Sequence, residues 1–175
     1  RDFLKSSLAT AGAVWAASAS PRRAAAVQEP AGAPRLRFAA VGLNHGHIYS
    51  MCEAVVRGGG DLVSFFAKEP DLAAAFAKRF PQAKLARSER EILEDPSIKL
   101  VASAAIASER APLGLEVMRH GKDFMADKPG ITTLEQLAEV RRVQAETRRI
   151  YSITYSERFE NRATVKAMSP SFGIL

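Results

Sequence analysis

A short stretch around residue 42 combines residue types that can bind a phosphate group. The apolar run Phe38–Val41 is followed by Gly42, Asn44, His45, Gly46 and His47, and then by an amphipathic segment. Free N–H groups at the start of a helix, together with the positive end of its dipole, attract phosphate. An imidazole can add a further hydrogen bond. We therefore predict phosphate binding by Gly42, Asn44, His45, Gly46 and His47.

The stretch departs from the dinucleotide fingerprint G-x-G-x-x-G, whose three positions fall on Gly42, Asn44 and His47. In that fingerprint the first glycine makes a tight turn, the second allows close approach to pyrophosphate, and the third allows close helix–strand packing. Asn44 is the least costly replacement for glycine where the backbone is left-handed. Gly46 lies one position before His47 and offers another point of close approach.

Two other interpretations of this stretch remain open. One is an ordinary turn between a strand and a helix. The other is a metal site, because imidazole nitrogens are common metal ligands. This second interpretation lacks an evident cysteine or carboxylate partner for His45 and His47. We therefore predict no metal ligand.

The rest of the chain alternates between strand-like and helix-like segments. Buried-strand patterns occur at Phe38–Val41, Leu62–Phe66, Ala83–Ala86, Leu100–Ile106, Asp123–Ala126 and Ile150–Tyr155. Helices are predicted between them, with N-caps at Asp71, Ser88 and Thr133 and a helix over Ala111–His120. This alternation predicts right-handed crossovers and an α/β, Rossmann-like, doubly wound parallel sheet. Such sheets bind ligands at the carboxyl ends of their strands.

The segment Asp127-Lys128-Pro129 follows the fifth predicted strand and makes the pattern more specific. With it, the order of elements resembles the Gfo/Idh/MocA family of oxidoreductases, named for glucose–fructose oxidoreductase and inositol dehydrogenase. The matching stretches are "VGLNHGH" at 41–47, "VMRHGKDFMADKPGITTLEQL" at 117–137 and "YSERFENRATVKA" at 155–167. The resemblance covers nearly all of 35–167, and 117–137 is its most diagnostic part.

The resemblance implies an NAD(P)-binding Rossmann domain at 35–156, with 157–175 beginning a second, truncated substrate domain. It implies hydride transfer to or from a sugar, polyol or related compound, with NAD or NADP as cofactor. The lysine of the family's "EKP" motif lies near the nicotinamide and the substrate hydroxyl, which makes Lys128 the candidate catalytic residue. Asp127 replaces the glutamate of that motif, and Asp127, Lys128 and Pro129 are candidate cofactor contacts.

Two further positions depart from the family. Its acidic residue for the adenosine ribose aligns with Ala67, and the neighbouring Lys68 could bind a 2′-phosphate, hence NADP, or simply lie in a solvated turn. The segment after the fourth strand reads "AIASER" at 105–110. There Ser108 and Arg110 are predicted to contact the cofactor, although the same residues would suit an ordinary helix start.

The two ends of the chain carry separate predictions. The stretch "RDFLKSSLATAGAVWAASAS" is typical of an export signal and resembles the second half of a twin-arginine signal. We expect 1–34 to be this signal and a flexible linker, and the protein to be periplasmic; a plain N-terminal tail is the alternative. The final "MSPSFGIL" does not continue the preceding helical pattern, so we expect a truncation or frame shift and an inactive fragment.

Charge and composition limit the partners. The net charge is +6, but residues 1–37 hold six basic and two acidic residues and so carry +4 of it, leaving only +2 for the body. We therefore expect a dinucleotide and a sugar-like molecule as partners, with no nucleic acid and no membrane once the signal is removed; a homo-oligomer of the full-length protein stays open. A non-catalytic nucleotide- or sugar-binding protein on the same fold is the main alternative function. A methyltransferase-type Rossmann domain is a weaker alternative, because it would give the segment Asp127-Lys128-Pro129 at the end of a strand no evident role.

Overall fold

The computed structural model describes residues 36–155. The predicted export signal and linker at 1–34 and the predicted start of a second domain at 157–175 lie outside these residues and stay predictions. So does most of the "YSERFENRATVKA" stretch. Between residues 36 and 155, no helix has the length and apolar character needed to cross a bilayer.

The described chain forms one sheet of six parallel strands with helices between them. The strands are β1 (Arg37–Val41), β2 (Asp61–Phe66), β3 (Lys84–Leu85), β4 (Leu100–Ser103), β5 (Asp123–Asp127) and β6 (Tyr151–Thr154). The helices are α1 (His47–Arg57), α2 (Pro70–Arg79), α3 (Glu89–Glu94), α4 (Ala107–Arg119) and α5 (Leu134–Thr147). The strand order is β3-β2-β1-β4-β5-β6. The predicted Rossmann-like fold is thereby confirmed.

The central strand β1 is buried on both sides. Phe38 and Ala40 belong to the hydrophobic cluster that α1 and α2 cover, whereas Ala39 and Val41 belong to the cluster beneath α3 and α4. Alternate residues of a strand point to opposite faces, which is why a continuous apolar run suits a sheet covered twice. Strand order reverses between β1 and β4, so the carboxyl ends of these two strands flank the switch point where ligands bind in such folds.

Two predicted helix starts are confirmed by their caps. The Glu91 N–H donates to Ser88 Oγ at 3.2 Å, and the Gln136 N–H donates to Thr133 Oγ1 at 3.1 Å. The third prediction is wrong, because α2 begins at Pro70 and its N-cap is Glu69, two residues before Asp71. Proline suits the first helical position, since its missing N–H would have no partner there.

The helix α4 begins at Ala107, four residues before the predicted start, and β4 ends correspondingly early at Ser103. Pro112 therefore lies inside the helix, where it cannot donate to the Ser108 carbonyl. The Gln136 side chain of α5 donates to that carbonyl instead, at 3.3 Å. A hydrogen bond from a distant helix thus replaces the one that the proline cannot make, and no local feature of the sequence predicts this hydrogen bond.

Candidate nucleotide-binding site

The turn after β1 needs glycine at its first position. Gly42 has φ +70°, and a Cβ added there would lie 2.5 Å from the Cβ of Ala105. Its N–H donates to the Phe66 carbonyl and its own carbonyl accepts from the Ala104 N–H, at 3.2 and 3.1 Å. The turn is therefore attached to the ends of both neighbouring strands, and it brings the start of α1 to the switch point.

The next two positions differ from expectation in different ways. Asn44 does not use the left-handed backbone that asparagine tolerates, since Arg148 is the one non-glycine residue with positive φ in the described part of the chain. Asn44 instead donates from Nδ2 to Glu69 Oε1 at 3.0 Å, which joins the turn to the residues after β2. Gly46 caps α1 with φ −61°, and a Cβ added there would meet no atom within 4 Å. Open space therefore lies above Gly46.

Several backbone N–H groups around this turn are available to a ligand. Within residues 36–155, the N–H groups of Leu43, Asn44 and Gly46 have no acceptor. The His45 N–H donates to the Ala104 carbonyl at 3.0 Å. The His47 N–H is 3.3 Å from the Nδ1 atom of His45. Unpaired N–H groups at a helix start are the usual anion-binding arrangement, so this turn can hold a phosphate group.

A groove of about 340 Å³ runs from this turn along the carboxyl edge of the sheet. Its walls come from the turn after β1, the residues that follow β2, the start of α3 and the exposed side of α4. The predicted contacts that line it are Gly42, Asn44, Lys68 and Ser108. This placement suits the adenosine half of a dinucleotide, which lies on the β2 side of the switch point when its pyrophosphate occupies the turn.

The groove is negatively charged. Its wall contains Lys68 and four glutamates, namely Glu69, Glu89, Glu109 and Glu116. The pKa of Glu89 is raised by burial and by its neighbours Glu116 and Glu109, while Lys68 opposes this shift. Carboxylates in such a place accept hydrogen bonds from ribose hydroxyls and repel a phosphate. From the sequence, Lys68 and Glu69 could be considered only as neighbours of Ala67 in a possible solvated turn, because Glu89, Glu109 and Glu116 reach the groove from α3 and α4.

Arg110 does not lie in the groove, and the prediction that it contacts the cofactor is corrected. Its side chain is 4% exposed and donates four hydrogen bonds within the protein. The acceptors are the Ala105 carbonyl at 2.7 Å, the Lys128 and Pro129 carbonyls at 2.6 and 3.1 Å, and Asp127 Oδ2 at 3.3 Å. Arg110 therefore fixes the residues at the end of β5, which lie at the sheet edge where ligands bind in this fold.

Asp127 brings both histidines of the turn to the end of β5. His47 Nδ1 lies 3.0 Å from Asp127 Oδ1, and His45 Nδ1 lies 3.3 Å from Asp127 Oδ2. The carboxylate is 2% exposed, whereas the two imidazoles are 50% and 44% exposed. The expectation that these histidines lack a nearby carboxylate is therefore wrong. The partner comes from 80 residues further along the chain, and only the parallel order of the strands could have suggested it.

Lys128 and Pro129 are exposed and follow directly after β5, and the peptide bond between them is cis. Since β1, β4 and β5 are parallel neighbours, Lys128 lies at the same sheet edge as the turn at Gly42. The predicted site residues thus fall into two groups. Gly42, Asn44, Lys68 and Ser108 surround the groove, whereas His45, His47 and Asp127 meet beside Lys128.

The parallel six-stranded sheet, with its glycine turn and the groove at the switch point, defines a Rossmann-like α/β domain of the kind that binds nucleotides in oxidoreductases. No family model and no curated protein sequence matches the chain. Solved structures do match it. A protein from Erwinia carotovora atroseptica, assigned as an oxidoreductase, is 39% identical with a TM-score of 0.73, over 78% of this chain and 41% of that one.

Two more distant structures share the fold. Biliverdin reductase from Synechocystis, solved with biliverdin and NADP+, is 22% identical with a TM-score of 0.64, over 79% of this chain and 43% of that one. The myo-inositol 2-dehydrogenase from Lactobacillus plantarum is 15% identical with a TM-score of 0.66, over 79% and 42%. The chain therefore spans about two fifths of the length of the solved structures that it matches.

Proposed function

We propose that this domain binds a nicotinamide dinucleotide along the carboxyl edge of its sheet. We further propose that the whole protein is an oxidoreductase of the Gfo/Idh/MocA type acting on a sugar, polyol or related compound. One observation carries the proposal: the groove at the switch point is lined by Gly42 and Asn44 of the turn in which, within residues 36–155, the N–H groups of Leu43, Asn44 and Gly46 have no acceptor. The names of the similar structures, which include an inositol dehydrogenase and an NADP+ complex, support it.

Each half of the site has its own task in this proposal. The three N–H groups and the dipole of α1 bind the pyrophosphate, and the glutamates of the groove accept hydrogen bonds from the adenosine ribose. A nicotinamide held there would supply hydride transfer. Lys128, at the end of β5, lies on the side toward which the nicotinamide half extends. Its ammonium group would orient the substrate oxygen and donate a proton to it in the direction of reduction, and the neutral amine would accept the hydroxyl proton in the direction of oxidation. We expect the 175 residues alone to bind the dinucleotide without turning over substrate.

A fluorescence titration of the purified chain with NADH and NADPH tests the cofactor proposal. We expect NADH to bind about tenfold more tightly, a difference of about 1.4 kcal/mol, because the glutamates of the groove repel a 2′-phosphate. Glu89→Gln should reduce this preference. Glu94→Gln, an exposed change at the other end of α3, should leave it unchanged. Tighter binding of NADPH would instead assign the 2′-phosphate to Lys68.

A second variant tests where the pyrophosphate lies. Gly46→Ala adds a methyl group into open space, so the fold should tolerate it while NADH binding weakens. Gly58→Ala, at the opposite end of α1, is the matched control and should bind NADH normally. Equal binding by both variants would contradict the proposed position. Failure of the unaltered chain to bind either nucleotide would favour a non-catalytic, sugar-binding protein on this fold.

Amine-directed acetylation followed by mass spectrometry tests the role of Lys128. Saturating NADH should slow acetylation of Lys128 several-fold, because the nicotinamide half would cover its ammonium group. Lys78, exposed on α2 and away from the groove, should react at the same rate with and without NADH. Protection of neither lysine, in a chain that does bind NADH, would remove Lys128 from the site.

A further inference from the structure

We propose that His45, His47 and Asp127 form a binding site for a divalent transition-metal ion of the zinc type. These residues offer two imidazole nitrogens and one carboxylate, and their ligand atoms all lie within 4.8 Å of one another. Nitrogen donors combined with one carboxylate suit zinc and its neighbours better than magnesium or calcium, which prefer oxygen alone. The proposal does not depend on the cofactor proposal, because it involves only side chains of this chain.

The spacing of the ligand atoms fits a tetrahedral ion. Zinc bonds to histidine nitrogen and carboxylate oxygen are about 2.0–2.1 Å long, so two ligands of one tetrahedron lie about 3.3–3.4 Å apart. The observed Nδ1 to Oδ distances are 3.3 Å for His45 and 3.0 Å for His47. Each imidazole thus lies at about this spacing from a different oxygen of the same carboxylate. Because the ligand atoms lie within 4.8 Å of one another, an ion can bind once the half-exposed imidazoles turn toward a common point, and His45 Nδ1 then gives up its contact with the His47 N–H.

The carboxylate is already held in place by groups that lie behind it. The Lys128 N–H donates to Asp127 Oδ1 at 2.8 Å, and Arg110 donates to Oδ2 at 3.3 Å. Each carboxylate oxygen thus has a hydrogen-bond donor of its own in addition to the imidazole that lies beside it. Ligands fixed by such second hydrogen bonds are typical of metal sites. The half-exposed imidazoles leave a path from solvent and a fourth position for water or another oxygen ligand.

Nearby positive groups limit how tightly an ion can bind. Arg110 touches the same carboxylate, and His47 is the first residue of α1, whose N-terminus carries a positive partial charge. With one carboxylate as the only anionic ligand, the ion should exchange readily rather than remain through purification. The competing arrangement is a simple ion pair between Asp127 and a protonated imidazole.

Few other side chains of this protein compete for zinc. The chain has three histidines and one cysteine. Cys52 is fully buried, and burial together with Glu53 raises the pKa of its thiol to about 12, so it offers no thiolate. His120 lies at the end of α4, where its Nδ1 is 2.8 Å from the Glu116 carbonyl. His120 is therefore the matched control for the other two histidines.

The test is a calorimetric titration of the full chain with Zn²⁺ after treatment with a chelator. We expect one ion per chain, and a visible ligand-field spectrum of four-coordinate geometry when Co²⁺ replaces Zn²⁺. His45→Gln and His47→Gln should each weaken binding at least about tenfold, and the double variant should abolish the site. His120→Gln should bind Zn²⁺ like the unaltered chain.

Two results would overturn the metal site. One is the absence of saturable one-to-one uptake of Zn²⁺ by the unaltered chain. The other is equal uptake by the His45→Gln/His47→Gln variant, provided that circular dichroism shows it to be folded. Neither result depends on nicotinamide, so a chain that binds Zn²⁺ but not NADH would refute the cofactor proposal alone. A chain that binds NADH but not Zn²⁺ would refute the metal site alone.

Discussion

Replacement of Arg110 by alanine is expected to lower the free energy of unfolding by about 3–5 kcal/mol, as measured by urea denaturation. The reason is that Arg110 is the shared donor for three carbonyl groups and for the buried carboxylate of Asp127. Without it, those carbonyls lose their partner and the buried carboxylate of Asp127 loses its guanidinium partner, keeping only the Lys128 N–H and the two half-exposed imidazoles beside it. Unsatisfied buried groups of this kind are among the costliest defects in a folded protein.

Arg119→Ala is the matched control for this variant. Arg119 lies on the same helix, is half exposed and pairs with Glu139 at 2.8 Å on the surface. Exposed pairs contribute about 0.2–1 kcal/mol, so the control should lose no more than that. If the two variants lost similar stability, Arg110 would not be the organising group at the end of β5. Adding Asp127→Asn to Arg110→Ala should recover part of the loss, because the buried negative charge that has lost its guanidinium partner is then removed.

Gly42→Ala should destabilise the domain by about 2–5 kcal/mol. Two costs combine at this position: a left-handed backbone that alanine adopts poorly, and a Cβ placed 2.5 Å from the Cβ of Ala105. The turn would have to move away from β4, and the unpaired N–H groups beyond it would move as well. We therefore expect the variant to lose NADH binding even under conditions in which it remains folded.

Gly121→Ala separates the two costs. Gly121 has φ +74°, close to the +70° of Gly42, but an added Cβ there would meet nothing within 4 Å. Its loss should be about 1–2 kcal/mol, the cost of the backbone conformation alone. Thermal and urea unfolding of both variants give the comparison. Equal losses would mean that Ala105 yields easily and that the turn is not tightly packed against β4.

Local patterns were sufficient to predict much of the fold. The buried strand β1 is recognisable in the sequence as a continuous apolar run, and the N-cap residues Ser88 and Thr133 supply the capping side chains of their helices. The start of α4 was missed because Pro112 is unfavourable inside a helix, and the Gln136 contact that allows the earlier start comes from another helix. The N-cap at Glu69 was missed because it makes no side-chain cap.

The site was predicted less completely, for a related reason. The residues around Gly42 and the segment at Lys128 could be placed at one edge of the sheet from strand order alone. The burial of Arg110 and the meeting of His45, His47 and Asp127 depend on side-chain positions, which a one-dimensional pattern does not specify. The acidic wall of the groove has the same origin, since its four glutamates come from three separate segments of the chain.

The two borders of the described sheet differ in their capacity for self-association. On one side, β3 contributes only Lys84 and Leu85, which is too short for a second chain to pair along it and includes a charge that opposes stacking. On the other side, β6 has four residues, flanked by the exposed Ile150 and Tyr155. Of the two border strands in the described part of the chain, β6 is therefore the one at which an additional strand, from the same chain or another, would pair more favourably.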